Sequence, residues 1–487
     1  MSSPARSEVF ADRSLFGHPK GLGLLFLTEM WERFSYYGMR ALLVLYLVNA
    51  QHWSAENAAK LYGNYTMLVF LTPLIGGYLA DQFIGTRRSL VIGGIIIAAG
   101  HFTLALQGEA AFYIGLGLII VGTGFFKANV STQVGQIYAD GDARRDAGFT
   151  VFYVGINTGA FLGPIVCGYL AASPDWGWHY GFAAAGVGMV LGLITYVAGR
   201  EKYLPGIGLP VPRDRESESS ALPETNPMHG VGGAIAGCLV GFLGGGWFGL
   251  AMGGVVGGAL GLAILGSHGE ERRRVIAIFI VAFFIVFFWA AYEQAGSSMN
   301  LFADRNTDLT LGGLVSKPIP ASWFQSANPF YILVFSPLFA WIWVTLGRKK
   351  MEPSTAMKMV IGLFLLGAGF LFMVLGARGA DQGLRVSWIW LMAAYLFHTL
   401  GELCLSPIGL SYVTKVAPAR FASLMMGVWF LSNAVANKIG GTIASMVEKI
   451  PTLTQFYTIF VISSFAAAVG LLLCVPLLKR LTSTVKA

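Results

Sequence analysis

The chain has 487 residues, of which 55% are hydrophobic and only 12% are charged. Soluble domains are about 45–50% apolar and about 25% charged, so this composition excludes an ordinary soluble enzyme. The net charge of +8 does not indicate nucleic-acid binding, because the basic residues sit at the ends of apolar segments, as in cytoplasmic loops. The four cysteines lie in apolar segments without metal-ligand or disulfide spacing, and are interpreted as small core residues.

Twelve apolar segments are long enough to cross a membrane, which takes about 20 residues per helix. The first six are predicted near 21–49, 57–80, 88–107, 111–138, 147–172 and 179–199. The last six are predicted near 273–302, 322–346, 355–377, 387–414, 420–446 and 454–479. Two glycine-dense segments lie between the sets, near 229–246 and 248–267. Because small residues let helices approach closely, these two are predicted to form a helical hairpin.

The predicted fold class is an all-α membrane protein, with two six-helix bundles and a two-helix insertion, or fourteen membrane helices in all. The basic residues concentrate in alternate loops, which predicts that both termini are cytoplasmic. Two six-helix halves are typical of inverted repeats with a binding site between them at the membrane midplane. The predicted divisions are a cytoplasmic N-terminus (1–20), an N-terminal bundle (21–199), a cytoplasmic linker (200–227), the insertion (228–268) and a C-terminal bundle (269–482).

The first predicted span carries a stripe of charged side chains. Glu29, Glu32 and Arg33 share one helix face, since they are three or four residues apart. Tyr37 and Arg40 continue that stripe toward the end of the span. Each charge at the bilayer centre costs roughly 2.5–3.5 kcal/mol, so it should face a cavity or a partner. The alternative is a short amphipathic helix ahead of the span, which does not explain the unbroken apolar sequence after Arg40.

Three further charges lie within apolar segments: Lys127 in the fourth span, Glu293 in the seventh and Glu402 in the tenth. Lys127 could instead extend its ammonium to a membrane interface. The bases Arg33 and Lys127 come from the first half and the two isolated acids from the second, so a cavity between the halves would suit a zwitterion. His101 and His398 are further candidates for proton transfer, although a lone membrane histidine more often bonds to a neighbouring helix.

The run from Glu29 to Gly38 resembles the ExxER motif of the proton-coupled oligopeptide transporters, the POT family. The run from Phe152 to Gly159 is similar to a second motif of that family, and Gly77 to Arg88 resembles the loop motif of the major facilitator superfamily. The central pair is similar to the insertion of prokaryotic members. The resemblance covers essentially the whole chain.

The resemblance implies a major facilitator fold and a symporter that imports di- and tripeptides with protons by alternating access. It implies no enzyme activity, no cofactor besides the coupling proton, and no obligate protein partner. The expected location is the lipid bilayer of the inner cell membrane. The alternatives are a same-fold transporter of nitrate or amino-acid derivatives, and a non-transporting sensor or an enzyme. Glu402 argues against nitrate, and the sequence shows no output domain or catalytic cluster.

The resemblance also implies a role for particular residues. For proton coupling these are Glu29, Glu32, Arg33 and Glu293. Arg33 and Lys127 would receive the peptide carboxylate, and Glu402 and Asn328 the amino terminus. The other implied substrate-binding residues are Tyr37, Asn157, Trp289, Tyr292, Ser406 and Trp429. Arg40 and Glu293 would form a periplasmic gate, and Asp81 and Arg87 would belong to a loop that latches the inward gate, unless that loop is merely solvated.

The sequence departs from the family pattern at three positions. Ala128 stands where most relatives have proline, so the fourth span is expected to bend less or elsewhere. Phe70 stands where relatives commonly have tyrosine, which removes a hydroxyl from the predicted cavity. Gly63 stands where animal members have histidine, which excludes proton coupling by a histidine there.

Overall fold

The computed structural model describes residues 4–139, 141–209, 227–418 and 421–483, which are helical apart from turns and short loops. A short helix, α1 (Pro4–Ala11), precedes the N-terminal set. That set comprises α2 (Lys20–Asn49), α3 (Ala55–Leu79), α4 (Thr86–Leu104), α5 (Glu109–Gln136), α6 (Arg144–Ala172) and α7 (Trp178–Tyr203). The central helical segment, labelled α8, is Pro227–Leu260. The C-terminal set comprises α9 (Gly269–Tyr292), α10 (Ser298–Asn306), α11 (Ala327–Arg348), α12 (Thr355–Ala380), α13 (Ile389–Val416), α14 (Ala422–Ala444) and α15 (Leu453–Leu481).

These helices confirm the all-α fold class and cover each of the twelve predicted spans. Nine helices of the described ranges are long and apolar enough to cross a membrane. Helix α2 is not among them, because its charged stripe interrupts its apolar sequence. The count of fourteen membrane helices therefore stays a prediction. Helix α5 runs unbroken through Ala128, where a proline would remove a backbone hydrogen bond.

The seventh span differs from its prediction as one continuous helix over 273–302. Helix α9 ends at Tyr292, a 3-10 turn covers Glu293–Gly296, and α10 begins at Ser298. Gly296 packs so tightly against α3 that a β-carbon there would lie 1.8 Å from the Tyr62 hydroxyl. The break therefore places Glu293 at the end of α9, beside the N-terminal set.

The central segment reverses direction, as the predicted hairpin requires. A β-carbon at Gly233 would lie 2.2 Å from the Gly257 carbonyl oxygen. Residues that far apart along one straight helix would be separated by roughly 36 Å. Two apolar arms, Met228–Leu239 and Gly253–Leu265, therefore lie side by side. Most of the predicted linker, residues 210–226, lies outside the described residues.

The two helix sets are joined at the end of the molecule where α2 finishes, hereafter the Asn49 end. At its rim, Asn49 donates to Asp304 (2.9 Å), and Lys449 pairs with Glu56 (2.7 Å). Three further hydrogen bonds between the sets lie deeper in the molecule. Asn300 Nδ2 donates to the Ala41 carbonyl (2.9 Å). Ser326 Oγ donates to the Phe161 carbonyl (2.7 Å), and Trp323 Nε1 donates to the Ile165 carbonyl (3.0 Å). These bonds close the Asn49 end.

Helices α3 and α14 make the tightest contact of this closure. A β-carbon at Gly63 would lie 2.7 Å from the Gly441 α-carbon, so the two backbones touch without intervening side chains. Small residues allow such contacts between membrane helices. The glycine at position 63 therefore has a packing role, and a histidine side chain would not fit in this arrangement.

Candidate functional site

A cavity of about 400 Å³ lies between the two helix sets. Its walls come from α2, α3, α5 and α6 on one side and from α9, α11, α13 and α14 on the other. Thirteen of the residues proposed from the sequence line it: Glu29, Arg33, Tyr37, Arg40, Lys127, Asn157, Trp289, Tyr292, Glu293, Asn328, Glu402, Ser406 and Trp429. The structure thus brings together side chains that lie up to 400 residues apart in sequence.

The α2 cluster sets two carboxylates against one guanidinium. Arg33 Nε donates to Glu29 Oε1 at 2.7 Å, and it also lies 2.7 Å from Glu32 Oε2. All three side chains are almost fully buried. Glu29 Oε2 and Arg33 Nη2 have no hydrogen-bond partner among the described residues. The cluster therefore has one surplus carboxylate and unused bonding capacity. Glu32 supports the cavity from behind Arg33 rather than lining it.

The second arginine of α2 crosses to the other helix set. Arg40 forms a buried ion pair with Glu293, and its Nε donates to the Tyr62 hydroxyl at 2.6 Å. That hydroxyl lies 3.4 Å from Glu293 Oε2. The predicted Arg40–Glu293 pair is thus formed in the structure, and it links α2 and α3 to the break after α9.

Glu402 is held by donors on one of its two oxygens. The Tyr292 hydroxyl donates to Glu402 Oε2 at 2.5 Å, and Asn328 Nδ2 donates to the same oxygen at 2.9 Å. Asn328 also donates to the Thr399 hydroxyl, which fixes its amide. These bonds orient the carboxylate, and among the described residues no donor bonds to Oε1.

Lys127 differs from both arginines, because no carboxylate in the described ranges lies within ion-pair distance of it. Its Nζ instead lies 4.0 Å from the centroid of the Phe70 ring. Such contacts between an ammonium and an aromatic face are attractive. Lys127 therefore lines the cavity without a direct ion pair to an acid of the described ranges.

Some candidate residues lie away from the cavity. Arg87 is buried and donates to both carboxylate oxygens of Glu201 at 3.1 Å and to the carbonyls of Leu204 and Ile207. Asp81 is exposed. The structure thus uses Arg87 to join the start of α4 to the end of α7, and the latch role of both residues stays a prediction.

Both candidate histidines are buried outside the cavity lining. Neither ring nitrogen of His101 or of His398 has a hydrogen-bond partner among the described residues. His398 packs against Phe370 at 4.5 Å between ring centroids. The role of both histidines in proton transfer stays a prediction.

Sequence reasoning missed several polar residues of the cavity wall. These are Tyr36, Tyr153, Gln325, Tyr395 and Asn433. Three had a usable signal in helix periodicity. Tyr36 lies three residues after Arg33, Tyr153 four residues before Asn157 and Asn433 four residues after Trp429, so each shares a helix face with a candidate residue.

The fold and the cavity define a membrane transporter, with two helix sets and a charged site between them. The chain matches the model of the POT family over residues 87–205 and 263–460. It is 40% identical over 480 residues to the uncharacterized transporter YclF of Bacillus subtilis (strain 168), covering 96% of each chain. It is 34% identical over 498 residues to a di-/tripeptide transporter of Lactococcus lactis subsp. cremoris, covering 96% of this chain and 97% of the relative.

A crystal structure of a mutant of peptide transporter POT in complex with alafosfalin is similar throughout, with a TM-score of 0.82 and 37% sequence identity. The match covers 98% of this chain and 99% of that one. The chain belongs to the POT family, and it is an integral membrane transporter rather than an enzyme.

We expect Glu293→Ala to destabilise the purified protein. The substitution leaves the Arg40 guanidinium buried without its acid, and breaking a buried pair in this way costs about 3–5 kcal/mol. Thermal unfolding in detergent measures the effect as a fall in melting temperature.

Glu56→Gln is the matched control. Glu56 pairs with Lys449 at the same Asn49 end, but it lies at the rim, where ion pairs contribute little. If the melting temperature falls as much for Glu56→Gln as for Glu293→Ala, the buried pair does not stabilise the protein more than the pair at the rim.

Proposed function

We propose that this chain is a proton-coupled symporter that imports di- and tripeptides. The observation that carries this proposal is the opposed arrangement of two charges in one cavity. Lys127, on the wall of the N-terminal set, has no acid partner among the described residues, and Glu402, on the opposite wall, keeps one oxygen free. A peptide is a zwitterion with charges at its two ends, so it complements both walls at once.

The amino terminus of the peptide would bind at Glu402. Tyr292 and Asn328 occupy Oε2, so an incoming ammonium meets an oriented Oε1. Charge-assisted hydrogen bonds of this kind are roughly twice as strong as neutral ones. A nitrate ion offers no positive group to this carboxylate, which favours a peptide over nitrate.

The carboxylate of the peptide would bind first at Lys127, which need not break an ion pair to receive it. Arg33 is the second candidate, and its free Nη2 has a donor to offer. Glu29 and Glu32 already neutralise Arg33, however. We therefore infer that full engagement of Arg33 requires one of these acids to lose its negative charge.

Proton coupling follows from that competition. Two carboxylates share one guanidinium within a buried cluster, where like charges repel strongly. A proton on Glu32 would remove the surplus charge and free Arg33 for the substrate. In the opposite direction, loss of the proton would restore the ion pair and release the carboxylate. Loading of proton and peptide would thus depend on one another.

Alternating access would require the Asn49 end to open and close. The Arg40–Glu293 pair and the Gly63–Gly441 contact hold that end shut. Proton binding by Glu293 would weaken its attraction to Arg40 and favour opening. We propose that this end faces the periplasm, that both termini are cytoplasmic and that the protein resides in the inner membrane, in agreement with the distribution of basic loop residues.

Glu32→Gln should abolish gradient-driven uptake while leaving part of the peptide exchange intact. The neutral amide mimics a permanently protonated acid, so the variant can bind peptide but cannot release the coupling proton. Proteoliposomes with an imposed proton gradient and labelled alanyl-alanine measure the uptake. The same vesicles without a gradient and with internal peptide measure the exchange.

Glu109→Gln serves as the control, because Glu109 is an exposed acid in the first turn of α5. Driven uptake by Glu32→Gln at the rate of the unmodified chain would assign the coupling elsewhere. An unmodified chain that accumulates no dipeptide under a gradient would refute the proposed function.

Glu402→Ala should weaken the binding of peptides with a free amino terminus far more than that of amino-acetylated peptides. The lost interaction is a hydrogen bond between charged groups, which contributes about 1.5–3 kcal/mol, or roughly ten- to a hundred-fold in affinity. Competition against labelled alanyl-alanine measures the affinity for the free peptide and for the acetylated peptide.

Tyr292→Phe is the graded comparison, because it removes one donor to Glu402 and keeps the ring and the carboxylate. We expect the affinity of this variant for the free peptide to lie between that of the unmodified chain and that of Glu402→Ala. Equal losses for free and acetylated peptides in Glu402→Ala would remove the assigned role of this carboxylate.

A further inference from the structure

The cations of the cavity wall fall into two kinds. Arg33 and Arg40 each lie against an aromatic ring, Tyr36 at 5.8 Å and Tyr62 at 5.6 Å, and each also has a carboxylate partner. Lys127 has an aromatic ring at 4.0 Å, and no acid within ion-pair distance among the described residues. The ring of Phe70 therefore lies closest to the Lys127 ammonium of the contacts described for it.

Backbone packing sets this contact. Helices α3 and α5 touch where a β-carbon at Gly76 would lie 2.1 Å from the Gly124 carbonyl oxygen. The Thr72 hydroxyl donates to the Ile120 carbonyl at 2.9 Å and fixes the register of the two helices. Phe70 and Lys127 extend from this junction into the cavity, which both of them line. The relative position of ring and ammonium is thus built into the helix pair.

A lysine side chain has four rotatable methylene groups, and immobilising it costs up to about 2 kcal/mol of conformational entropy. A cation over an aromatic face gains about 0.5–1 kcal/mol when exposed and about 2 when desolvated. The two quantities are of similar size. The ring can therefore hold the ammonium in the cavity before substrate arrives, without neutralising it as a carboxylate would.

We propose that Phe70 is a positioning residue that holds the Lys127 ammonium, through the face of its ring, where the substrate carboxylate binds. This inference rests on the proposed function and deepens it at one end of the substrate. The absence of a hydroxyl at this position does not weaken the contact, because the attraction comes from the ring face. Phe70 thus acts on the substrate through Lys127.

Fluorinated phenylalanines at position 70 provide the test, because they weaken the negative ring face and nearly preserve the ring shape. Counterflow exchange of labelled alanyl-alanine in proteoliposomes is measured for phenylalanine and for its mono-, di- and trifluoro forms. We expect the half-saturation concentration to rise stepwise, by about three- to thirty-fold over the series. The maximal exchange rate should stay close to that of the unmodified chain.

Two comparisons separate positioning from packing. The same series at Phe126, fully buried beside Lys127 and outside the cavity lining, should leave the half-saturation concentration unchanged. Competition by a dipeptide amide, which lacks the carboxylate, should not depend on fluorination at position 70. Phe70→Leu should weaken binding of the free dipeptide, and Phe70→Tyr should preserve it.

Two results would overturn the role of Phe70 while the proposed function stands. One is a half-saturation concentration that does not change over the fluorination series at position 70. The other is an equal effect of fluorination on the binding of the free dipeptide and of its amide. An unmodified chain that exchanges no dipeptide would overturn both. A similar rise in the half-saturation concentration on fluorination of Phe126 would show that fluorination acts through packing, and it would also refute the positioning role of Phe70.

Discussion

The membrane interior penalises an unpaired charge, and this penalty governs the arrangement of the cavity. An ionisable group at the bilayer centre costs roughly 2.5–3.5 kcal/mol unless a partner or water receives it. In this chain Arg33 meets two acids on its own helix, and Arg40 meets Glu293 on another helix set. Pairing within one helix makes a cluster that does not depend on the relative position of the two helix sets. Pairing between the sets makes a contact that must break whenever the sets separate.

Close helix packing decides where those partners meet. Glycine contacts bring α3 against α5 at Gly76, within one helix set, and against α14 at Gly63, between the two sets. In this arrangement Tyr62 of α3 bonds to Arg40, and the ring of Phe70 faces Lys127. Two of the three cations of the cavity, Arg40 and Lys127, thus lie against aromatic rings of α3, whereas Arg33 lies against Tyr36 of its own helix.

The sequence predicted the parts of this site that depend on local geometry or on the scarcity of charge. Glu29 and Arg33 lie one helical turn apart, so their pairing follows from helix periodicity. Lys127 and Glu402 stood out because acids and bases are rare in apolar spans. The all-α fold and most helix bounds followed from segment length.

Contacts between distant helices could not be predicted in the same way. The partner of Arg87 is Glu201, more than a hundred residues away, and nothing in the local sequence of either residue indicates the other. The break after Tyr292 lies where Gly296 packs against Tyr62, a contact that again depends on a second helix. Phe70 could be identified as a departure from the family, but its contact with Lys127 required the packing of α3 on α5.

The charges of the cavity also constrain the proposed cycle as a whole. Together with the Glu32 carboxylate behind it, the wall carries four acids and three bases among the described residues: Glu29, Glu32, Glu293, Glu402, Arg33, Arg40 and Lys127. With all of them ionised, the empty site has one surplus negative charge. A zwitterionic peptide adds no net charge, so it cannot remove that surplus, whereas a single proton can. A peptide-loaded site that must cross a low-dielectric barrier is therefore neutral only when a proton is bound as well, and this gives a physical reason why transport of the peptide would need a proton.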